Sequence, residues 1–298
     1  AEVIKCPLAD GGEGTLEALG GANRSSEVAG PLGRPVVAAW RYAAKTAVIE
    51  MSRASGLLLV GGKSGNDPLL ANTRGTGELI SAAREAGARR IIVGVGGSAS
   101  TDGGYEALRA MQSIAKFRGI EIQVACDVTT KFLDAPRVFG PQKGATALQV
   151  DLLTRRLEML ADLYLEQYGI EVRPMARSGA AGGLAGGLAA FGAQLVDGFG
   201  LIADEVELAE LIEGADLVIT GEGRLDQTSF DGKVVGGVYR IAQDLKVPVL
   251  AIVGEVEEET PIPDSLNIVS LVDLFGYEKA TKNTLWCISE ATNQFLSG

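Results

Sequence analysis

The sequence predicts a mixed α/β fold with more than one sheet, and two observations carry that expectation. Short β-branched runs stop at glycine in EVIKCPLADGG, ARRIIVGVGG, ADLVITGEG and VPVLAIVGE, each the pattern of a buried strand that delivers a glycine-rich loop. Helical patterns lie between them in NTRGTGELISAAREAG, ALQVDLLTRRLEMLADLYLEQYG and DGKVVGGVYRIAQDL. Such alternation produces βα units, a parallel sheet and right-handed crossovers.

Three segments depart from this rhythm. Residues 25–51 alternate in short pieces around a PLGRP turn, which suits antiparallel strands. The stretch GAAGGLAGGLAAFGAQL, residues 179–195, carries Leu, Ala and Phe without Ser or charge; it reads as a tightly packed, glycine-rich helix start beneath a ligand rather than as a linker. Near the C-terminus, Leu285, Ile288, Ala291, Thr292 and Phe295 recur at helical spacing, the expectation being a helix that covers a sheet.

Composition bounds the function. The 298 residues are 46% hydrophobic and 22% charged, enough to bury one large or two medium cores. A formal charge of -11 argues against nucleic-acid or anionic-membrane partners, since those need clustered Lys and Arg. No apolar stretch reaches the roughly 18 residues of a spanning helix, and residues 1–20 do not read as a signal peptide, so the expected location is cytoplasmic. Cys6, Cys126 and Cys287 are isolated and form no CxxC motif, as in buried small side chains. The chain has no histidine, which removes His-dependent triads and imidazole metal ligands and leaves carboxylates, Lys, Arg, hydroxyls and backbone amides to do chemistry.

Four loops gather such groups. Asp10, Glu13 and Thr15 sit among Gly11, Gly12 and Gly14, where helix-start amides can receive phosphate oxygens and Asp10 can bind a metal or accept a proton, or simply cap a turn. GVGGSASTDGG places Gly97, Ser98, Ser100, Thr101 and Asp102 after a strand, an anion cradle in which a cation would have to separate the carboxylate from phosphate. ITGEGRLDQTSFDGK combines Glu222, Arg224, Asp226 and Lys233, a set that can stabilise a transferring phosphoryl group or form a charged surface loop. Asp127, Gln142 and Lys143 make the fourth, with Lys143 suited to phosphate or carboxylate and Asp127 to a cap. Asn72, Thr73 and Arg74 read as a helix N-terminus that could also orient a small acid.

PLADGGEGT, NDPLLANTRGTGELI, GVGGSASTDGG, ACDV, FGPQKGA, GAAGGLAGGL and ITGEGRLDQTSFDGK occur in one order. Together, from about Glu2 to Val253, they closely resemble the bacterial glycerate kinase family. The resemblance implies two α/β domains: a Rossmann-like one built from residues 1–24 plus 204–298, and an inserted mixed one over residues 25–203. It implies ATP-dependent phosphorylation of D-glycerate, on the 2-hydroxyl with the 3-hydroxyl as the alternative, with Mg²⁺ as cofactor and the site in a cleft between the domains. On that reading Asp10 or Asp226 is the base, Arg224 and Lys143 stabilise charge, and Gly11, Gly12, Gly97, Ser98, Ser100 and Thr101 contact phosphate. Asp102 and Glu222 are the metal candidates. The family pattern also carries an Asp-Ser-Phe-Lys motif ahead of the segment that opens this sequence, and a longer loop after Tyr105. The competing classes are a nucleotide-dependent oxidoreductase, for which GxGxxG does not appear convincingly, and a non-catalytic sugar-acid or nucleotide sensor. A homo-oligomer is compatible with either class.

Overall fold

The computed structural model describes residues 2–230 and 233–297; Asp231 and Gly232, within the ITGEGRLDQTSFDGK motif, lie outside the described residues. The chain divides into two compact units, Ala1–Ile202 and Ala203–Gly298. Residues 1–24, which the resemblance assigns to a domain shared with the C-terminal part, are grouped here with the first unit.

The first unit is built on a six-stranded sheet, β1 (Arg24–Ala29), β2 (Pro35–Ala43), β3 (Thr46–Glu50), β4 (Arg90–Gly94), β5 (Glu121–Cys126) and β6 (Gln194–Asp197), adjacent in that order. β1, β2 and β3 pair antiparallel, as the alternation around PLGRP predicts, and β3 to β6 pair parallel. Four of the five residues of β4 are fully buried, which is why RIIVG reads as a continuous apolar run: a parallel strand is covered on both faces.

Helices α1 (Thr15–Ala18), α2 (Ser52–Ser55), α3 (Arg74–Glu85), α4 (Tyr105–Met111), α5 (Ala135–Phe139), α6 (Ala147–Tyr168) and α7 (Leu184–Ala190) belong to this unit. α6 begins in a reciprocal capping box between Thr146 and Gln149 and ends at left-handed Gly169, which satisfies backbone groups at both ends. It buries Leu153, Leu157, Ala161 and Tyr164, residues four, four and three apart that share one face. Every residue of α7 is buried, so the glycine-rich segment is packed rather than a linker.

The EVIKC run is not a strand. Residues 2–9 carry no regular structure, and Val3 and Ile4 are exposed. β-branched composition marks a residue that fits a sheet, yet a strand exists only where a neighbour supplies the hydrogen bonds.

After α8 (Gly198–Glu205), the second unit contains α9 (Leu208–Glu213), β7 (Val218–Thr220), β8 (Arg224–Leu225), α10 (Val234–Asp244), β9 (Val249–Val253), β10 (Glu255–Val256), β11 (Leu266–Ser270), α11 (Leu271–Phe275), α12 (Tyr277–Lys282) and α13 (Thr284–Ser297). β11, β9 and β7 form a three-stranded parallel sheet, and β8 pairs with β10. α13 covers that sheet as expected, but on a different face. Cys287 and Ala291 join Leu250, Ile252 and Ala280 in the core, whereas Leu285 is 86% exposed.

Candidate active site

The loop Asp10–Gly14 lies across the carboxyl ends of the parallel strands of the first unit. Gly11 accepts from the Val95 amide at 2.8 Å. Gly11 also has φ of +97°, and a Cβ there would lie 2.8 Å from the Ala125 carbonyl; only glycine fits a left-handed turn pressed on a strand end. A Cβ on Gly198, just after β6, would overlap the Asp10 carbonyl oxygen. Asp10 is half-buried, and its Oδ1 accepts only a long bond from the Gly12 amide, 3.3 Å, among the contacts seen.

Two of the amides at the helix start are already engaged by the protein. Those of Gly14 and Leu16 both donate to Glu50 Oε1 at 2.9 Å. Glu50 is the buried last residue of β3 and also receives Arg53 Nε at 2.9 Å, which raises the Arg53 pKa chiefly through that hydrogen bond. A carboxylate brought by another strand thus does what an anion would do at this N-terminus. The short TAVIE run gives no local hint of it.

The second loop, after β4, brings together residues distant in sequence. Ser98, Ser100, Thr101, Asp102 and Lys143 are all buried. Lys143 Nζ donates to the Ser100 carbonyl at 2.6 Å, and burial pushes its pKa down to about 7, against the opposing pull of Asp102. Asp102 Oδ2 accepts from the Thr73 amide and hydroxyl, at 2.9 and 2.8 Å, and Oδ1 from the Gly104 amide at 3.2 Å. Burial nonetheless raises its pKa, those hydrogen bonds working the other way. Asn66 Nδ2 joins the Ala99 and Lys143 carbonyls. Asn66 Oδ1, Ser100 Oγ and Thr101 Oγ1 are buried with no protein partner, a polar surplus inside a site rather than a finished network. Gly97 is the exposed point of the loop.

Thr73 therefore acts as a helix-entry residue tied to Asp102, and Arg74 pairs with Glu78 at 2.9 Å. The bonds to Asp102 hold the second loop against α3.

Sequence reasoning missed Arg177. Its guanidinium donates to the Cys126 carbonyl at 3.2 Å and to Asp197 Oδ1 at 3.3 Å, which places a cation at the carboxyl ends of β5 and β6. Its own φ is +72°, an uncommon conformation for a side chain of this size. Asp197 Oδ2 meanwhile accepts from the Gly200 amide at the start of α8. Nothing local in RPMARSGA signals this; the contact is made by strand order.

In the second unit the third loop is engaged with itself and its neighbours. Arg224 is 56% exposed and bridges Glu257 at 2.8 Å and Glu255 at 3.6 Å. Asp226 Oδ1 accepts from the Thr228 hydroxyl and the Thr228 and Ser229 amides, with Lys233 Nζ at 3.8 Å. The Thr228 hydroxyl is the main reason its pKa is lowered, with Lys233 adding to it. Asp226 thereby holds a turn. No group of three Asp, Glu, Cys or His among the described residues converges as a metal site, and both oxygens of Asp102 accept hydrogen bonds from protein donors.

Against known proteins, the sequence matches the glycerate kinase family over residues 1–115 and 111–295. The chain belongs to the glycerate kinase family. It is 39% identical over 300 residues to glycerate 2-kinase of Escherichia coli K12, covering 88% of this chain and 78% of that protein. It is likewise 39% identical over 298 residues to glycerate kinase of Bacillus subtilis 168, covering 87% and 78%. A crystal structure described, provisionally, as glycerate kinase 2 from Salmonella typhimurium LT2 superimposes with a TM-score of 0.77 at 35% identity, covering 99% of this chain and 90% of that one. As a member of the glycerate kinase family the protein is a phosphotransferase with an alcohol acceptor. Among the described residues no helix is long and apolar enough to cross a membrane.

Proposed function

We propose that the protein transfers the terminal phosphoryl group of ATP to the 2-hydroxyl of D-glycerate. The observation that carries the reading is the loop after β4, which gathers Ser98, Ser100 and Thr101 over Lys143 at the carboxyl end of a parallel strand, the position where α/β proteins bind ligands. Family membership supports a kinase, and the E. coli relative's name supports the 2-position.

The residue roles follow from what each group has left to offer. Asp10 is the better base or orienting carboxylate, because its oxygens are lightly engaged while Asp226 already accepts three hydrogen bonds. Arg177 is suited to the glycerate carboxylate, since a guanidinium offers a planar pair of donors. The amides and hydroxyl of Gly97 and Ser98 meet phosphate, and Lys143 acts beneath them by fixing the loop. Arg224 lies on the second unit, where it bridges Glu255 and Glu257. Positioning and charge stabilisation of this kind dominate phosphoryl transfer. Mg²⁺ bound to the nucleotide neutralises its phosphate oxygens; the chain contributes no preformed cluster for it among the described residues, so no step is assigned to a protein-held ion.

Phosphorus NMR of a reaction containing the protein, Mg-ATP and D-glycerate tests the reading. It should show 2-phosphoglycerate growing at the rate ADP appears. Growth of the 3-phosphate would shift the acceptor position, and ADP formation independent of glycerate would defeat the assignment.

A further inference from the structure

We infer that Glu13 is the carboxylate through which the protein meets the Mg²⁺ carried by the phosphate donor. The inference rests on the reading of the protein as an ATP-dependent kinase and assigns to that reaction a residue so far without a role.

The loop from Asp10 to Gly14 crosses the strand ends of the first unit in a fixed order. The Asp10 carbonyl lies against Gly198, after β6, and Gly11 against Ala125 of β5; the Gly11 carbonyl accepts from Val95, after β4. One residue on, Gly12 meets Gly96, where an added Cβ would lie 2.6 Å from the Gly12 Cα. Glu13 comes last and lies on Gly97, where an added Cβ would sit 2.5 Å from Glu13 Oε1. Two segments distant in the sequence are thus packed main chain to main chain, and the carboxylate of one rests on the turn of the other.

That turn is suited to phosphate. The Gly97 carbonyl accepts from the Leu57 amide and the Ala99 amide donates to the Ser55 carbonyl, which fixes the backbone from the side of α2. The amides of Gly96, Gly97 and Ser98, in contrast, donate to no protein acceptor among the described residues. Gly97 has φ of +64°, the left-handed turn from which anion-binding nests of successive amides are made. Glu13 is exposed and forms no hydrogen bond or close ion pair among the described residues, so it is not itself the anion of the nest. Arg53 is the cation whose field it shares, and Arg53 also serves Glu50 at 2.9 Å and Glu17 at 3.8 Å. Lys143 is turned to the Ser100 carbonyl. With one guanidinium among three carboxylates, a polyphosphate on these amides is repelled by Glu13 unless a cation lies between them.

The donor set fits the ion. Mg²⁺ takes oxygen ligands and is usually held by one or two carboxylates together with substrate phosphates, keeping several waters. An uncommitted carboxylate beside a phosphate nest meets that requirement without a three-residue cluster, which is absent among the described residues. Glu13 gives the protein one ligand at the Gly97 end of the loop, and Asp10 at the β6 end remains for the acceptor hydroxyl. The arrangement sets opposite signs for two measurements: the Glu13 charge opposes a metal-free nucleotide and supports a metal-bound one.

Calorimetry with ADP, once with EDTA and once with Mg²⁺, tests this without relying on turnover, and thermal melting checks folding. The parent should bind MgADP roughly tenfold more tightly than metal-free ADP, the worth of one contact to a charged group. Glu13→Gln and Glu13→Ala should each weaken MgADP and bind metal-free ADP as tightly as the parent or more tightly, so that the ratio falls toward one. Glu17→Gln, an exposed neighbour on α1 that lies 3.8 Å from Arg53, controls for the loss of a charge alone and should keep the parent's ratio. Folded Glu13 variants that keep that ratio, or that weaken both forms equally, overturn the proposal and leave the kinase reading intact. A parent with no preference for MgADP overturns it in the same way, since phosphorus NMR of the glycerate reaction decides the kinase reading separately. A parent that binds ADP in neither form removes the proposal and the ATP assignment together.

Discussion

Lys143, singled out in the sequence as a partner for phosphate or carboxylate, is instead buried against the Ser100 carbonyl. Its burial lowers its pKa from an ordinary 10.5 to about 7, so between those values the unfolded chain holds a proton that the folded one does not. Stability must then rise with pH across that window, the penalty being fully present below pH 7 and relieved toward pH 10. Thermal melts of the parent and Lys143→Met between pH 7 and 10 should show the parent gaining stability relative to the variant; parallel profiles would refute the assignment. Asp10→Asn should lower kcat by about 10² to 10⁴, the usual worth of a positioned base, with glycerate still binding by calorimetry. A kcat within threefold of the parent would remove Asp10 from that role. Glu50→Ala leaves the Gly14 and Leu16 amides without their partner and should cost about 1–3 kcal/mol in urea unfolding. Of these three residues Asp10 stands in a local pattern, an acid followed by two glycines after an apolar run. The part played by Glu50 has no such local pattern, since the two amides it receives lie more than thirty positions away.

At the scale of elements, α7 is the clearest case of composition explained by packing. A Cβ on Gly187 would overlap the Gly103 carbonyl oxygen, and one on Gly186 the Phe132 ring. The helix thus lies directly against the turn that follows Asp102, and its small residues set how closely the second loop is backed. Gly187→Ala should destabilise the protein by about 1–3 kcal/mol, the typical cost of overpacking against an unyielding neighbour, although alanine is the better helix former. A melting temperature equal to or above the parent's would contradict this. The antiparallel start of the sheet and the helices α3, α6 and α10 were legible from period alone. EVIKC and the face of α13 were misread for one reason: a period reports which residues could be buried, and the packed neighbour decides which are.

At the scale of the molecule, the two tryptophans report separately, Trp40 buried in the first unit and Trp286 half-exposed in the second. The second unit is shorter, and small units bury a smaller fraction of their surface. Single-tryptophan variants, Trp286→Phe and Trp40→Phe, should accordingly give non-coincident urea transitions, with the Trp286 signal lost at lower urea. Coincident curves would show one cooperative unit. The sequence by itself determined the α/β class, the succession of strand-end glycine loops and the family, because these depend on neighbours in the chain and on motif order. Tertiary structure alone decided that Lys143 lies under Ser100, that Arg177 reaches the ends of β5 and β6, and that a cavity of about 600 Å³ sits on the second sheet. Those contacts join residues tens of positions apart through strand order, and no local period or composition encodes strand order.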